Sequence, residues 1–148
     1  MKNIIKTYAM LFVFFTSACI AENKMEKEEF DKSAIYLEII LVYSNVETLP
    51  IVVDACTKLD ASMGKDLGKM LDDYVSKHKN TYVMAKEITS NPDKIDWLTD
   101  KLRENARRFD QSLAKKKREL TEEYKDINKV DKTELSRFCN MLPMVLGF

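Results

Sequence analysis

Glycine and proline are scarce in this chain, three of each in 148 residues, and there is one histidine and one tryptophan. So little Gly and Pro leaves no material for a glycine-rich phosphate loop or for the frequent turns of an all-β sandwich. A lone histidine, His78, cannot assemble a multi-histidine metal site, and His-Glu-x-x-His and nucleophile-elbow patterns are absent. The three cysteines contain no Cys-x-x-Cys pair, which removes the common redox and zinc spacings. Charge of one sign is not in excess either. The chain carries 24 basic and 24 acidic side chains, so it lacks the basic surplus of a general nucleic-acid binder. What remains abundant is Lys, Glu, Leu and Ala, a helix-rich composition.

The first residues have a different character from the rest. Lys2 and Lys6 flank a short basic region, Ala9 to Phe15 is uncharged and apolar, and the small residues Thr16, Ser17 and Ala18 follow. This is the pattern of a bacterial-type signal peptide, and the apolar run is far shorter than the roughly 20 residues of a membrane span. Two processing readings compete. Thr16-Ser17-Ala18-Cys19 resembles the bacterial lipoprotein box, in which the Cys19 thiol is acylated and heads the mature chain, although Thr16 stands where leucine is commonest. Alternatively, an ordinary signal peptidase cuts after Ala21. The organisation expected is residues 1–21 as signal peptide, or 1–18 with lipidated Cys19, and residues 22–148 as one helical domain. Removal of Lys2 and Lys6 leaves a mature formal charge of 22 − 24 = −2.

Export decides what the other cysteines do. With Cys19 lipidated or cleaved away, Cys56 and Cys139 form an even pair in an oxidising compartment, which favours a disulfide. Closing a loop of 139 − 56 = 83 positions restricts the unfolded chain by roughly 4 to 5 kcal/mol in the chain-entropy model, an upper figure. A soft-metal alternative, copper on Cys139, Met141 and Met144, is weighed against a plain C-terminal apolar plug, and the plug is preferred. No cofactor and no metal are expected.

Apolar spacing along the mature chain follows the helical period. Phe30, Ala34, Leu37, Leu41 and Ser44 form one stripe, widened by Ile35, Ile39, Val42 and Val46. Ile35 to Val46 is rich in β-branched residues, but strict alternation fails at Glu38 to Val42, which favours helix over strand. Pro50 then interrupts, and with Thr48 as N-cap a second helix is expected from Leu49 to about Ala61, with Val52, Cys56 and Leu59 inward. A break is read at Ser62 to Lys65. Leu67, Met70, Leu71, Tyr74, His78, Tyr82, Ala85 and Ile88 predict the next helix, ending near Ser90 before Asn91-Pro92. From Pro92, the spacing of Ile95, Leu98, Leu102, Phe109, Leu113, Leu120, Tyr124 and Ile127 predicts a helix over 92–129, about 55 Å long or broken near Ala114 to Arg118. Asp131 and Glu134 give a capping signal for a last helix, with Leu135, Phe138, Cys139 and Leu142 inward and Pro143 as its end. The fold expected is all-α, a small antiparallel bundle of four to five helices closed by one disulfide.

Candidate functional residues fall in two groups. Tyr74, His78 and Tyr82, four residues apart, share a predicted helix face and with Trp97 could supply aromatic anchors for a protein partner. Arg103, Arg107, Arg108, Lys115, Lys116, Lys117 and Arg118 form a basic cluster. It is read as a solvated face paired with Glu104, Asp110 and Glu119, or as a patch for an anionic surface. Leu120-Thr121-Glu122-Glu123-Tyr124 resembles the Leu-Thr-x-x-Gln motif of small helical periplasmic stress chaperones over five residues. Tyr124 replaces the glutamine and one copy is present, so the match is taken as coincidence. The overall build is similar to that of some periplasmic immunity proteins that neutralise cell-wall-degrading toxins, without a shared motif.

The function expected is a non-enzymatic binding module in the periplasm or lipid-anchored to an envelope membrane, acting on a protein partner. The alternatives are a structural or chaperone-like lipoprotein and a hydrolase that places His78 beside carboxylates.

Overall fold

The computed structural model describes residues 27–148, and the expected signal segment and Cys19 lie outside them. Among the described residues there are five α-helices and no strand. They are α1 (Lys27–Leu59), α2 (Ala61–Lys77), α3 (Lys79–Ser90), α4 (Asp100–Glu123) and α5 (Lys132–Leu146). Two 3-10 turns, Pro92–Lys94 and Ile127–Lys129, flank α4. Every other helix packs against α1.

The expected break at Pro50 does not occur: α1 runs through it as one helix. Proline removes one backbone donor and crowds the preceding turn, yet Leu49, Val52 and Val53 beside it are all buried and hold the segment helical. Thr48 is correspondingly not an N-cap. Its hydroxyl donates to the Ser44 carbonyl, 2.7 Å away, inside the helix. By length and composition α1 could cross a membrane, but most of its apolar stretch is buried against the other helices. That is how the central helix of a compact fold also behaves.

The start of α2 is set by Asp60, whose carboxylate accepts from the backbone of Ser62 and Met63 at 2.9 Å. The break predicted at Ser62 to Lys65 is therefore the first turn of a helix, and Gly64 lies inside it. A Cβ on Gly64 would stand 2.2 Å from Thr57 Oγ1 and 2.4 Å from Thr57 Cα, so glycine is what lets α2 turn back this closely on α1.

The helix predicted from Leu67 to Ser90 is divided at His78, where the backbone leaves helical geometry (φ −101°, ψ 13°). Its predicted end at Ser90 stands. After Pro92 the expected 92–129 helix is shorter. Residues 95–98 are not helical, Thr99 caps α4 by accepting from the Leu102 N–H at 3.3 Å, and the helix closes at Glu123. Its 24 residues make it about 36 Å long, and no break occurs between Ala114 and Arg118. Asp131 caps α5 as expected, accepting from Thr133 and Glu134. Pro143 does not end α5, because Leu142 and Leu146 on either side of it are buried. The terminator is Gly147 at φ 79°, with Gly147 N–H bonded to the Met144 carbonyl and Phe148 N–H to the Pro143 carbonyl. This is the Schellman closure.

The interior has two clusters. The first joins Leu49, Val52 and Cys56 of α1 to Leu67, Leu71 and Tyr74 of α2, Leu120 of α4, Tyr124 at its end, and Leu135, Cys139, Leu142 and Leu146 of α5. The disulfide between Cys56 and Cys139, Cα to Cα 5.9 Å, crosses this cluster as expected. The second joins Tyr36, Ile39, Ile40 and Tyr43 of α1 to Ala85 and Ile88 of α3, and to Leu98, Leu102, Ala106 and Leu113. The inward face of α1 thus differs from the predicted stripe: Phe30, Ala34, Ile35 and Leu41 are exposed. With apolar side chains on nearly every side of Ile35 to Val42, periodicity cannot choose a face, and the large amphipathic rings of Tyr36 and Tyr43 turn inward.

Candidate partner-binding surface

The four aromatic candidates do not share one face. Tyr74 is a core residue rather than an exposed anchor: it is buried in the first cluster, and its hydroxyl accepts from Asn45 Nδ2 at 3.1 Å. Burial pushes that hydroxyl up, partly offset by the Asn45 hydrogen bond. His78 is half-buried at the α2–α3 junction, its ring 4.5 Å from that of Tyr74. Tyr82 belongs to the other cluster, edge-on to Tyr43 with ring centroids 5.4 Å apart. Trp97 is half-buried against the same second cluster, in the segment before α4. The break at His78 therefore splits one predicted stripe between two interiors.

Tyr82 is one arm of a polar joint that connects three helices. Its hydroxyl donates to Glu47 Oε1 of α1, and Lys117 Nζ of α4 donates to Glu47 Oε2, both at 2.5 Å. Lys86 Nζ lies 5.4 Å from the Tyr82 ring centre, within cation–π range. Burial alone would raise the Glu47 carboxyl. The hydrogen bonds from Lys117 and Tyr82, with the charges of Lys117 and Lys86, outweigh it and hold the group below the ordinary glutamate range. The reciprocal effect, with burial, pushes the Tyr82 hydroxyl up to about 12. Neighbouring Tyr43 is also pushed up to about 12, by burial and by Asp110. Glu47 is not among the expected site residues, although it is the single charge between Ile39 and Val53.

The basic cluster is spread around α4. At 3.6 residues per turn, Arg103, Arg107, Lys117 and Arg118 fall on one side, Arg108 and Lys115 about a third of a turn away, and Lys116 on the far side. Lys116 lies in the field of Glu119 and Glu123, and ion pairs engage most of the others. Arg103 pairs with Asp100, Arg107 with Asp93 and Glu104, Arg108 with Glu104, Lys115 with Glu119, and Lys117 with Glu47. Exposed pairs of this kind contribute little stability each, but they neutralise the surface they occupy. Gln111, Ala114, Lys117 and Arg118 line a shallow, open depression on this helix.

Among the described residues, the clearest exposed apolar surface lies on α5. Leu135, Cys139, Leu142 and Leu146 point into the first cluster, which turns the other side of the helix outward. There Met141 is 56% exposed, Met144 78%, Val145 41% and Phe148 60%. Steps of three and four residues place Met141, Met144 and Val145 along one ridge, and Phe148 follows beyond the helix, after the Gly147 closure. Met141 and Met144, expected in an apolar plug, are exposed instead. The inward period of Leu135, Cys139 and Leu142 already implied that they face outward. Cys139, held in the disulfide, offers no thiolate, which removes the copper set of Cys139, Met141 and Met144. Among the described residues no group of three or more His, Cys, Asp or Glu side chains is placed to hold a metal ion.

No protein-family pattern, no curated protein and no solved structure matches this chain.

Proposed function

We propose that this protein is an exported, non-enzymatic binding module of the cell envelope, an inhibitor, immunity or accessory protein whose helices form an antiparallel bundle. The observation that carries the reading is the Cys56–Cys139 bridge, both of whose cysteines are almost fully buried between α1 and α5. Disulfides of this structural kind belong to oxidising compartments such as the bacterial periplasm, in agreement with the signal-type N-terminal segment. Two polar side chains that could serve a reaction have structural employment: both oxygens of Glu47 are engaged, and the His78 ring packs, tilted, against that of Tyr74. Anchoring through Cys19 would alter where the module is held, and the partner-binding role is common to both processing routes.

The test is affinity capture by residues 22–148, with the disulfide intact, from an envelope extract. A protein partner retained with saturable binding is the expected result. Recovery of none at bait concentrations up to about 10 μM, near the weak end of specific complexes, would remove the reading.

A further inference from the structure

We infer that the outer ridge of α5, formed by Met141, Met144, Val145 and Phe148, is the docking face, and that it seats in an apolar groove of a folded protein partner. This rests on the binding-module reading above and adds where the partner sits and what it offers.

The first argument is shape and rigidity. Met141, Met144 and Val145, at i, i+3 and i+4 on one helix, make a convex apolar strip that the exposed Phe148 extends past the helix end, the form that a groove on a partner accepts. The strip is fixed from behind. Cys139, on the opposite face of the same helix, is tied to α1, and Leu142 and Leu146 are buried in the first cluster, so little ordering is left for the moment of binding. Two of the four residues are methionines, whose unbranched thioethers adapt to an irregular groove.

The second argument selects the occupant. Together the four side chains expose on the order of 450 Å², an ordinary size for a functional apolar patch but only about half of what each partner supplies in a stable interface. A second copy meeting this ridge with its own ridge would stay short of that area. A groove covers the flanks of the helix as well and reaches it. A membrane surface fits less well, because Glu134 and the cap residue Asp131 balance Lys132 and Arg137 and leave no cationic excess to attract anionic lipid.

The experiment places the photoreactive residue p-benzoylphenylalanine at position 144 of the full chain in the producing cell, with parallel placements at the exposed Lys69 and Val83. The expected result is one adduct with one other protein at position 144, none at 69 or 83, and a cross-linked partner residue that maps to an apolar groove. Adding Met141→Lys, an exposed substitution, lowers adduct yield about tenfold or more while the thermal melt of the purified chain stays unchanged. An adduct between two copies, or an adduct to lipid, overturns the groove. A protein adduct at 69 or 83 but not at 144 overturns the ridge and leaves the binding module standing. No adduct at any position sinks both.

Discussion

The two ends of α1 are held in place by different chemistry. Its C-terminal half is enclosed by α2, the end of α4 and α5, in a leucine-rich interior crossed by a covalent bridge. Among the described residues its N-terminal half packs on α3, α4 and the segment just before α4, leaves Phe30, Ile35 and Leu41 exposed, and relies on tyrosines, with the Glu47 joint where the two halves meet. Where enough elements surround a helix, apolar burial is complete and a disulfide can be packed inside it. Around the second cluster amphipathic rings serve instead: Tyr36 and Tyr43 are almost fully buried, and the Tyr82 hydroxyl is held by Glu47. The first half presents the rigid ridge, and the second carries the titratable contacts.

The comparison can be broken most easily at the bridge. Replacing Cys56 and Cys139 by alanine should cost about 2–5 kcal/mol in urea unfolding of the purified chain. A loss no larger than that of Glu47→Gln would mean that the two halves do not differ as described. Next in size is Leu142→Ala, which opens a cavity in the first cluster and should cost about 2–5 kcal/mol, nearer the lower figure if the ridge can settle inward. Ile88→Val in the second cluster should cost only about 1 kcal/mol by the same measurement.

Glu47→Gln sharpens the contrast through pH. It should cost about 1 kcal/mol at neutral pH, since Lys117 is well exposed and solvent screens part of the pair. Because the folded carboxyl lies below the ordinary value of 4.5, the contribution is complete above that pH and is lost as pH falls through the folded value. Wild type and variant should therefore converge in unfolding measurements in acid. The tyrosines act at the other extreme. Tyr36, Tyr43 and Tyr82 are all pushed up to about 12, so their share of stability is present below the ordinary value of 10.0 and disappears as pH rises through about 12.

The smallest effect belongs to Tyr124. Its buried hydroxyl has no hydrogen-bond partner among the described residues, and burial and the nearby Glu123 and Glu134 push it up. Tyr124→Phe removes that unsatisfied group and should leave the midpoint of thermal unfolding unchanged or raise stability by up to about 1 kcal/mol.

What the sequence disclosed were features written in a few adjacent residues or in chemistry that tolerates one answer. Asp131 with Glu134 capped α5, Asn91-Pro92 stopped α3, and with Cys19 set aside the two remaining cysteines had one mate each. What it concealed depended on distant packing. Pro50 and Pro143 were read as punctuation, but burial of Leu49, Val52, Leu142 and Leu146 outweighs one lost backbone hydrogen bond at each. His78 carries no breaking signal, and its junction follows from α2 and α3 serving different clusters. The α5 ridge was legible in part, since an inward period implies an outward one, whereas the reach of Lys117 to Glu47 across 70 positions was not.

The thiol state and the N-terminus of the protein recovered from the cells that make it bear most directly on all of this. Denatured in alkylating reagent without reductant, it should show Cys56 and Cys139 unmodified and a chain beginning at lipidated Cys19 or at Glu22. A chain that begins at Met1 with both of those cysteines alkylated would contradict the account.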